Sequence, residues 1–370
     1  MLRITKSHSF KNPTSVSIRN VHDVIVREKK VHIKQGPGGR SSNDGTVATV
    51  FGATGFIGRN VVNNLGRKGT TIITPYRGSD DSRRFLRPMA DLGKMVQLRF
   101  DLRDEKSISE SVRHSDVVYN CVGRSYTTKN FSYDQVHHEG ARRLARIAKE
   151  NGVSKFIHVS ALNADVDSPS AFLRSKALGE IAVREEFPEA TIVRPGWVYG
   201  HEDRFWNKMG WFSKWAPFSF ILAPNGGHAT MRPVYVNDVA AVLSAMAKED
   251  ATVGKVVELY GPNEYTYRKL IELFQDASMN QHRAAPLPKA LLKPFITVWD
   301  KVLAFPIMSP DELERLTISD RFDPNALTFE NFDIMPHTAE ETIHRFVGMF
   351  RPNVFSNAPF DPLVKDYTNK

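Results

Sequence analysis

The stretch Val47-Ala48-Thr49-Val50-Phe51-Gly52-Ala53-Thr54-Gly55-Phe56-Ile57-Gly58 runs from five apolar or β-branched residues into a turn with three glycines spaced three apart. Ile57, Val61, Val62 and Leu65 then recur with helical spacing. A strand that ends on such a turn and opens a helix is the context in which these glycines acquire a chemical meaning. Gly52 permits the sharp turn, Gly55 lets backbone N–H groups approach a pyrophosphate, and Gly58 lets helix and sheet pack closely. The helix N-terminus adds oriented donors and a dipole that favours phosphate. Three glycines alone would suit any tight turn. Their place between strand and helix predicts a dinucleotide site containing Gly52, Thr54, Gly55, Phe56, Ile57 and Gly58.

Working outward, short buried-type runs recur at Thr71–Thr74, Val96–Phe100, Val117–Val122, Phe156–Val159 and Thr191–Arg194. Helical stripes fill the gaps, among them Leu144, Ile147 and Ala148, and then Leu178, Ile181 and Ala182. This alternation predicts an α/β fold, a Rossmann-type doubly wound parallel sheet over residues 46–200. Sheet and helix elements continue at 229–261. Residues 201–228 and 262–370 read as a smaller, mixed, Pro- and aromatic-rich C-terminal region.

Residues 1–45 read as a basic arm and linker. Nine basic residues up to Arg40 face only Asp23 and Glu28, so the arm carries +7 of the chain's net +9. A basic, Ser-containing, acid-poor start is how mitochondrial transit peptides read, although a basic tail that contacts a partner has the same composition. Gln35–Gly45 has linker composition. With the arm set aside the charge nearly balances, which argues against a nucleic-acid partner. The single cysteine, Cys121, excludes a disulfide framework. No run reaches the roughly 18 apolar residues of a spanning helix.

The second strand should decide which dinucleotide is bound. A carboxylate at its end would bond a ribose 2′-OH, but here the strand ends Pro75-Tyr76-Arg77, with no acid before Asp80. Arg77 therefore points to a 2′-phosphate and to NADPH, with Arg59 as a second cation, unless both are solvated surface charges. Asp101 and Leu102 end the third strand, where adenine would lie. Cys121 and Val122 follow the fourth, beside the nicotinamide path.

GATGFIG (52–58), DLRD (101–104), HVSA (158–161), Arg194-Pro195-Gly196 and MRPVYVNDVA (231–240) together resemble an extended or atypical short-chain dehydrogenase/reductase of the epimerase-like kind. A narrower likeness rests on TKNF (128–131), KFIHVSALN (155–163), FPEA (187–190), GHEDRF (200–205) and ERLTISD (314–320). These resemble the nucleotide-binding accessory subunits of mitochondrial respiratory complex I, the NADH:ubiquinone oxidoreductase of the electron-transport chain. That resemblance implies partners among other complex I subunits at the junction of the matrix and membrane arms. It also implies a peripheral seat on the matrix side of the mitochondrial inner membrane, in contact with lipid, and it adds Pro195 to the cofactor site.

The dehydrogenase resemblance implies a Tyr-x-x-x-Lys helix and a serine, in which the tyrosine passes the proton. The serine falls at Ser160 and the lysine at Lys176, but the tyrosine position is Phe172. Phenylalanine cannot transfer a proton. Ser160 and Lys176 are left as cofactor contacts, unless they merely cap and solvate, and no catalytic residue is assigned. Tyr126 or His158 would be the substitute acids, though neither has the required spacing from Lys176. The expectation is an NADPH-holding subunit without turnover, the alternative a free mitochondrial NADP-dependent reductase or epimerase.

His137, His138 and His201 lack zinc-ligand spacing and read as surface or core-edge residues; no metal is expected. HEDR (201–204) follows the sixth strand and reads as a loop-stabilising ion-pair group, ahead of a role in positioning the polar end of a ligand. Two aromatic-rich stretches flanked by lysines, Trp211–Leu222 and Leu291–Leu303, suit either a small-domain core or an interface with membrane or protein.

Overall fold

The computed structural model describes residues 4–5, 22–27, 30–215, 220–279, 283–302 and 308–351. Seven strands form one sheet: β1 (Val47–Phe51), β2 (Thr71–Tyr76), β3 (Met95–Arg99), β4 (Val117–Asn120), β5 (Lys155–Val159), β6 (Thr191–Pro195) and β7 (Val256–Leu259). All pairings are parallel and the order is 3-2-1-4-5-6-7. The order therefore reverses beside β1, and the crevice beyond the strand ends at that switch point is where such folds place ligands.

Helices cover both faces of the sheet. Ala48, Val50 and Tyr119 project to one side, against Val61, Val62 and Leu65 of α1 (Phe56–Arg67). Val239, Val242 and Leu243 of a later helix, Val236–Met246, join the same cluster. Phe51, Val118 and Phe156 project to the other side, against α2 (Glu105–Val112), α3 (Gly140–Glu150) and Val183 of α4 (Ala171–Glu186). Side chains alternate across a strand, so a strand buried on both faces is mostly apolar along its length, with Thr49, Asn120 and His158 among the buried polar exceptions.

β2 runs two residues beyond the expected Thr74, because Pro75 and Tyr76 still pair with Leu98 and Arg99 of β3. The helix Val236–Met246 and β7 contribute to the sheet's own core. A second core gathers Tyr199, Trp206, Phe274, Leu313 and Phe346 from the C-terminal half. The linker-like stretch is fastened to the sheet domain. Gln35 and Asn43 exchange backbone bonds at 2.8 Å, Ser42 is buried, and Asp44 accepts from the Thr70 hydroxyl at 2.7 Å. Composition shows neither the Gln35–Asn43 pairing nor the bond from Thr70, which lies 26 positions after Asp44.

The aromatic stretches divide. Met209, Ile221, Leu292 and Ile296 are buried in the second core. Leu291, Phe295 and Val298, on the helix Lys289–Val302, are 69%, 64% and 64% exposed, and Trp211 is 41% exposed. The side chains of Phe212, Trp215, Phe220, Trp299 and Val302, and the whole of Phe218 and Leu303, lie outside the described residues. No helix among the described residues is long and apolar enough to cross a membrane.

Candidate dinucleotide site

The glycine turn is built by close backbone approach. Gly52 has φ +78°, and a Cβ there would meet the Cys121 carbonyl oxygen at 2.7 Å. A Cβ on Gly58 would lie 2.2 Å from the Gly52 carbonyl oxygen, so any side chain would force the turn open. Gly55 N–H donates to that same oxygen at 2.9 Å and Gly55 caps α1 with no side chain. With no acid in its first turn either, α1 presents bare N–H donors to an anion. In front of the turn an open groove of about 200 Å³ is lined by Gly52, Thr54, Gly55, Arg77, Leu102, Cys121, Val122 and Phe131, among others. A backbone cradle that a single Cβ would fill fits a dinucleotide.

The expected contacts separate at this point. Gly52, Thr54, Gly55, Arg77, Leu102, Cys121 and Val122 line the groove. Phe56 instead borders a neighbouring groove with Asn60, His201 and Tyr235, Ile57 packs on the core, and Gly58 supports the turn from beneath. Asp101 accepts from the Arg103 backbone at 2.9 Å. Arg59, expected as a second cation, is committed elsewhere: it pairs with Glu202, donates to the Thr54 carbonyl at 2.9 Å and sits over the Phe85 ring. Pro195 stays in the sheet, its carbonyl accepting from Leu162 at 3.0 Å, while neighbouring Arg194 binds Glu180 at 2.7 Å. The Cys121 thiol is pushed up to about 12 by burial, so it is no thiolate.

At the other end of the groove, a Cβ on Gly123 would lie 3.5 Å from Lys176 Nζ. Lys176 is buried and donates to the Val159 carbonyl at 2.9 Å. Burial pulls its ammonium down to about 8, with Glu180 and Cys121 opposing. Ser160 is buried and its hydroxyl has no protein partner, which leaves a donor for a ligand. Phe172, one helical turn before Lys176, lies under the Arg315 guanidinium at 4.3 Å and edge-on to His137 at 5.1 Å and Tyr133 at 6.0 Å.

The NAD dependent epimerase/dehydratase family matches residues 48–259. The chain belongs to that family. It is 42% identical to the mitochondrial NADH-ubiquinone oxidoreductase 40 kDa subunit of Neurospora crassa, over 97% of this chain and 94% of that protein. It is 43% identical to the mitochondrial NADH dehydrogenase (ubiquinone) 1 alpha subcomplex subunit 9 of Arabidopsis thaliana, over 86% and 81%. Among solved structures it resembles an NADPH-dependent quinone oxidoreductase of Escherichia coli, with a TM-score of 0.63 at 18% identity, covering 81% of this chain and 99% of that one. That likeness is one of fold.

Phe172, where the family resemblance puts the proton donor, is partly buried and is contacted by the C-terminal part of the chain. Arg315 comes from a short C-terminal helix, Pro310–Arg315, whose Asp311 accepts from the Ser170 hydroxyl at 3.0 Å at the N-terminus of α4. Arg315 and Tyr133 both donate to the Ser125 carbonyl, at 3.4 and 2.9 Å, and Arg204 donates to the Ser125 hydroxyl at 2.5 Å. The HEDR loop supplies that arginine, and its Asp203 accepts from Gly200 and Asn207 backbone N–H groups. The two substitute acids sit in different surroundings. His158 is buried and held down to about 3 by desolvation and the Lys176 charge, and Tyr126 lies beneath the guanidinium groups of Arg124 and Arg204.

His137 corrects the sequence reading. It is 1% exposed, accepts from Arg124 N–H at 3.0 Å and bonds Ser175 at 2.8 Å, so it is a core histidine that fixes the loop after β4. Its buried role is invisible in sequence because all of its partners but the helix itself are distant in the chain. His201 faces solvent, and His138 is half-buried and bonds Asp134 at 2.9 Å.

Proposed function

We propose that this chain is a non-catalytic, NADPH-holding accessory subunit of mitochondrial NADH:ubiquinone oxidoreductase that supports the assembly or stability of the matrix arm near the membrane. The observation that carries the reading is Phe172 beneath Arg315: the position where family enzymes need a proton donor has no ionisable group and is covered by the chain's own C-terminal helix. The groove beside it keeps its glycine cradle, so binding is retained where chemistry is not. The near full-length identity with subunits of that respiratory enzyme supports the assembly.

Gly52, Gly55 and the start of α1 would hold the pyrophosphate, Ser160 and Lys176 the nicotinamide end, and Arg77 the 2′-phosphate. The nucleotide, when bound, would supply hydride-transfer capacity, but this chain offers no residue to move the accompanying proton. The subunit would sit peripherally on the matrix side of the inner membrane. Leu291, Phe295 and Val298 on the exposed side of their helix suit contact with lipid at the interface.

Blue-native fractionation of mitochondrial membranes tests the reading. Co-migration with the assembled oxidoreductase, carrying bound NADPH, is the expected result. A free pool that oxidises NADPH with a carbonyl substrate would reverse it in favour of a soluble reductase.

A further inference from the structure

The sheet order 3-2-1 places the ends of β2 and β3 at successive steps outward from the phosphate turn. Arg77 follows β2 and Arg103 follows β3. Between them stands Phe131, carried back over the groove by the loop after β4. The Arg77 guanidinium carbon lies 5.1 Å from the Phe131 ring centre and that of Arg103 lies 4.3 Å away. The loop that presents the ring is a closed turn. Thr128 N–H donates to the Phe131 carbonyl at 3.0 Å, Phe131 N–H donates back to the Thr128 hydroxyl at 3.2 Å, and Arg124 braces that hydroxyl at 3.2 Å. Arg103 Nη2 donates to the Asn130 carbonyl at 2.6 Å, which ties the arginine to the same loop.

Among the described residues neither Arg77 nor Arg103 forms an ion pair, whereas Arg59, Arg83, Arg142 and Arg194 all do. Arg77 lines the groove and Arg103 shares the Phe131 ring with it, so two exposed guanidinium groups without a carboxylate partner among the described residues stand beside the groove. A phosphate monoester satisfies both, since a planar fork bonds its oxygens in pairs. The pyrophosphate belongs to the glycine turn on β1, which leaves the ribose 2′ position for this outer pair.

We propose that Arg103 is the second arm of a 2′-phosphate clamp, with Phe131 the platform that holds Arg103 and Arg77 in position. The proposal rests on the reading that the groove takes NADPH. It adds a specificity-determining residue outside the β2 end, where a cation for this phosphate is ordinarily sought.

The test titrates the full-length chain with NADPH and NADH, and with the fragments 2′,5′-adenosine diphosphate and 5′-AMP, which differ only in the 2′-phosphate. Arg103→Gln should weaken NADPH and the diphosphate about tenfold or more, with NADH and AMP changed less than about twofold. Arg103→Lys should recover only part of the loss, because an ammonium lacks the fork. Phe131→Leu should give a smaller but equally selective loss. Equal losses for NADPH and NADH in Arg103→Gln, or no loss for either, would overturn the clamp. A wild-type chain that binds NADPH and NADH equally would instead remove the NADPH reading itself. A chain whose preference vanishes in Arg77→Gln but survives in Arg103→Gln would leave that reading standing and sink only the proposal.

Discussion

The two ends of the cleft are built by opposite means. The end at the glycine turn is an open groove whose floor is backbone: a turn so tight that a methyl group at Gly58 would collide with the Gly52 carbonyl. The end near Lys176 abuts the chain's own side chains, Phe172 under Arg315, Tyr133 against His137, and Asp311 bonded to the start of α4. An enzyme of this family would need both ends accessible, one to hold the nucleotide and one to admit a substrate. Here the glycine-turn end is open and the Phe172 end is crowded by the chain's own side chains. The difference teaches that a phenylalanine at this position is contacted by side chains from more than 100 residues further along the chain.

The sharpest way to break the contrast is at the open end. Gly58→Val should abolish detectable NADPH binding and destabilise the fold by about 3 kcal/mol, because overpacking against backbone cannot be relieved by a rotamer change. Denaturant unfolding together with nucleotide titration measures both effects. Retained binding would mean that the turn does not build the site.

At the crowded end, Phe172→Tyr alone should remain inactive, since Arg315 still covers the ring. Phe172→Tyr with Arg315→Ala should gain carbonyl-dependent NADPH oxidation, about 10²-fold above the single variant, the low end of what a positioned general acid contributes. Equal rates in the two variants would show that Arg315 closes nothing.

Lys176, at the boundary, gives a pH test. Its folded-state pKa of about 8 lies below the ordinary 10.5, so between those values the unfolded chain binds the proton that the folded chain has released. Its contribution to stability is therefore least favourable below pH 8 and improves as pH rises to 10.5. The stability difference between wild type and Lys176→Met should shift by up to about 3 kcal/mol across that window, measured by urea unfolding at a series of pH values. A flat difference would mean that Lys176 is not desolvated as described.

The smallest expected effect lies far from the cleft. Leu291→Ser with Val298→Ser should change the stability of the isolated chain by less than about 0.5 kcal/mol, since both side chains already face solvent. Binding to vesicles containing anionic lipid should fall in the same variant. Unchanged vesicle binding would detach this helix from the proposed membrane contact.

Most of the sheet was legible in the sequence for one reason. Strands buried on both faces are mostly apolar along their length, and a strand–turn–helix with three glycines has few other uses. The apolar run of β2 stops at Thr74, and pairing of Pro75 and Tyr76 with β3 carries the strand to its end. DLRD, TKNF and ERLTISD stood out as motifs, yet nothing in them disclosed that Arg103 and Phe131 meet, or that Arg315 lies on Phe172. Arg59 shows the reverse: adjacent to the glycine turn and plausible as a phosphate ligand, it is held by Glu202, 143 positions later.

The sequence alone determined that a nucleotide cradle exists and that its proton donor is missing, because both depend on the identity of residues within a few positions of each other: glycines that admit no Cβ, and a phenylalanine that carries no proton. Only the tertiary structure decided which cations remain available at the mouth of the cleft and what covers Phe172. Those depend on which distant side chains the fold brings within 4 or 5 Å, and contacts at that range across the chain leave no periodicity or spacing to read.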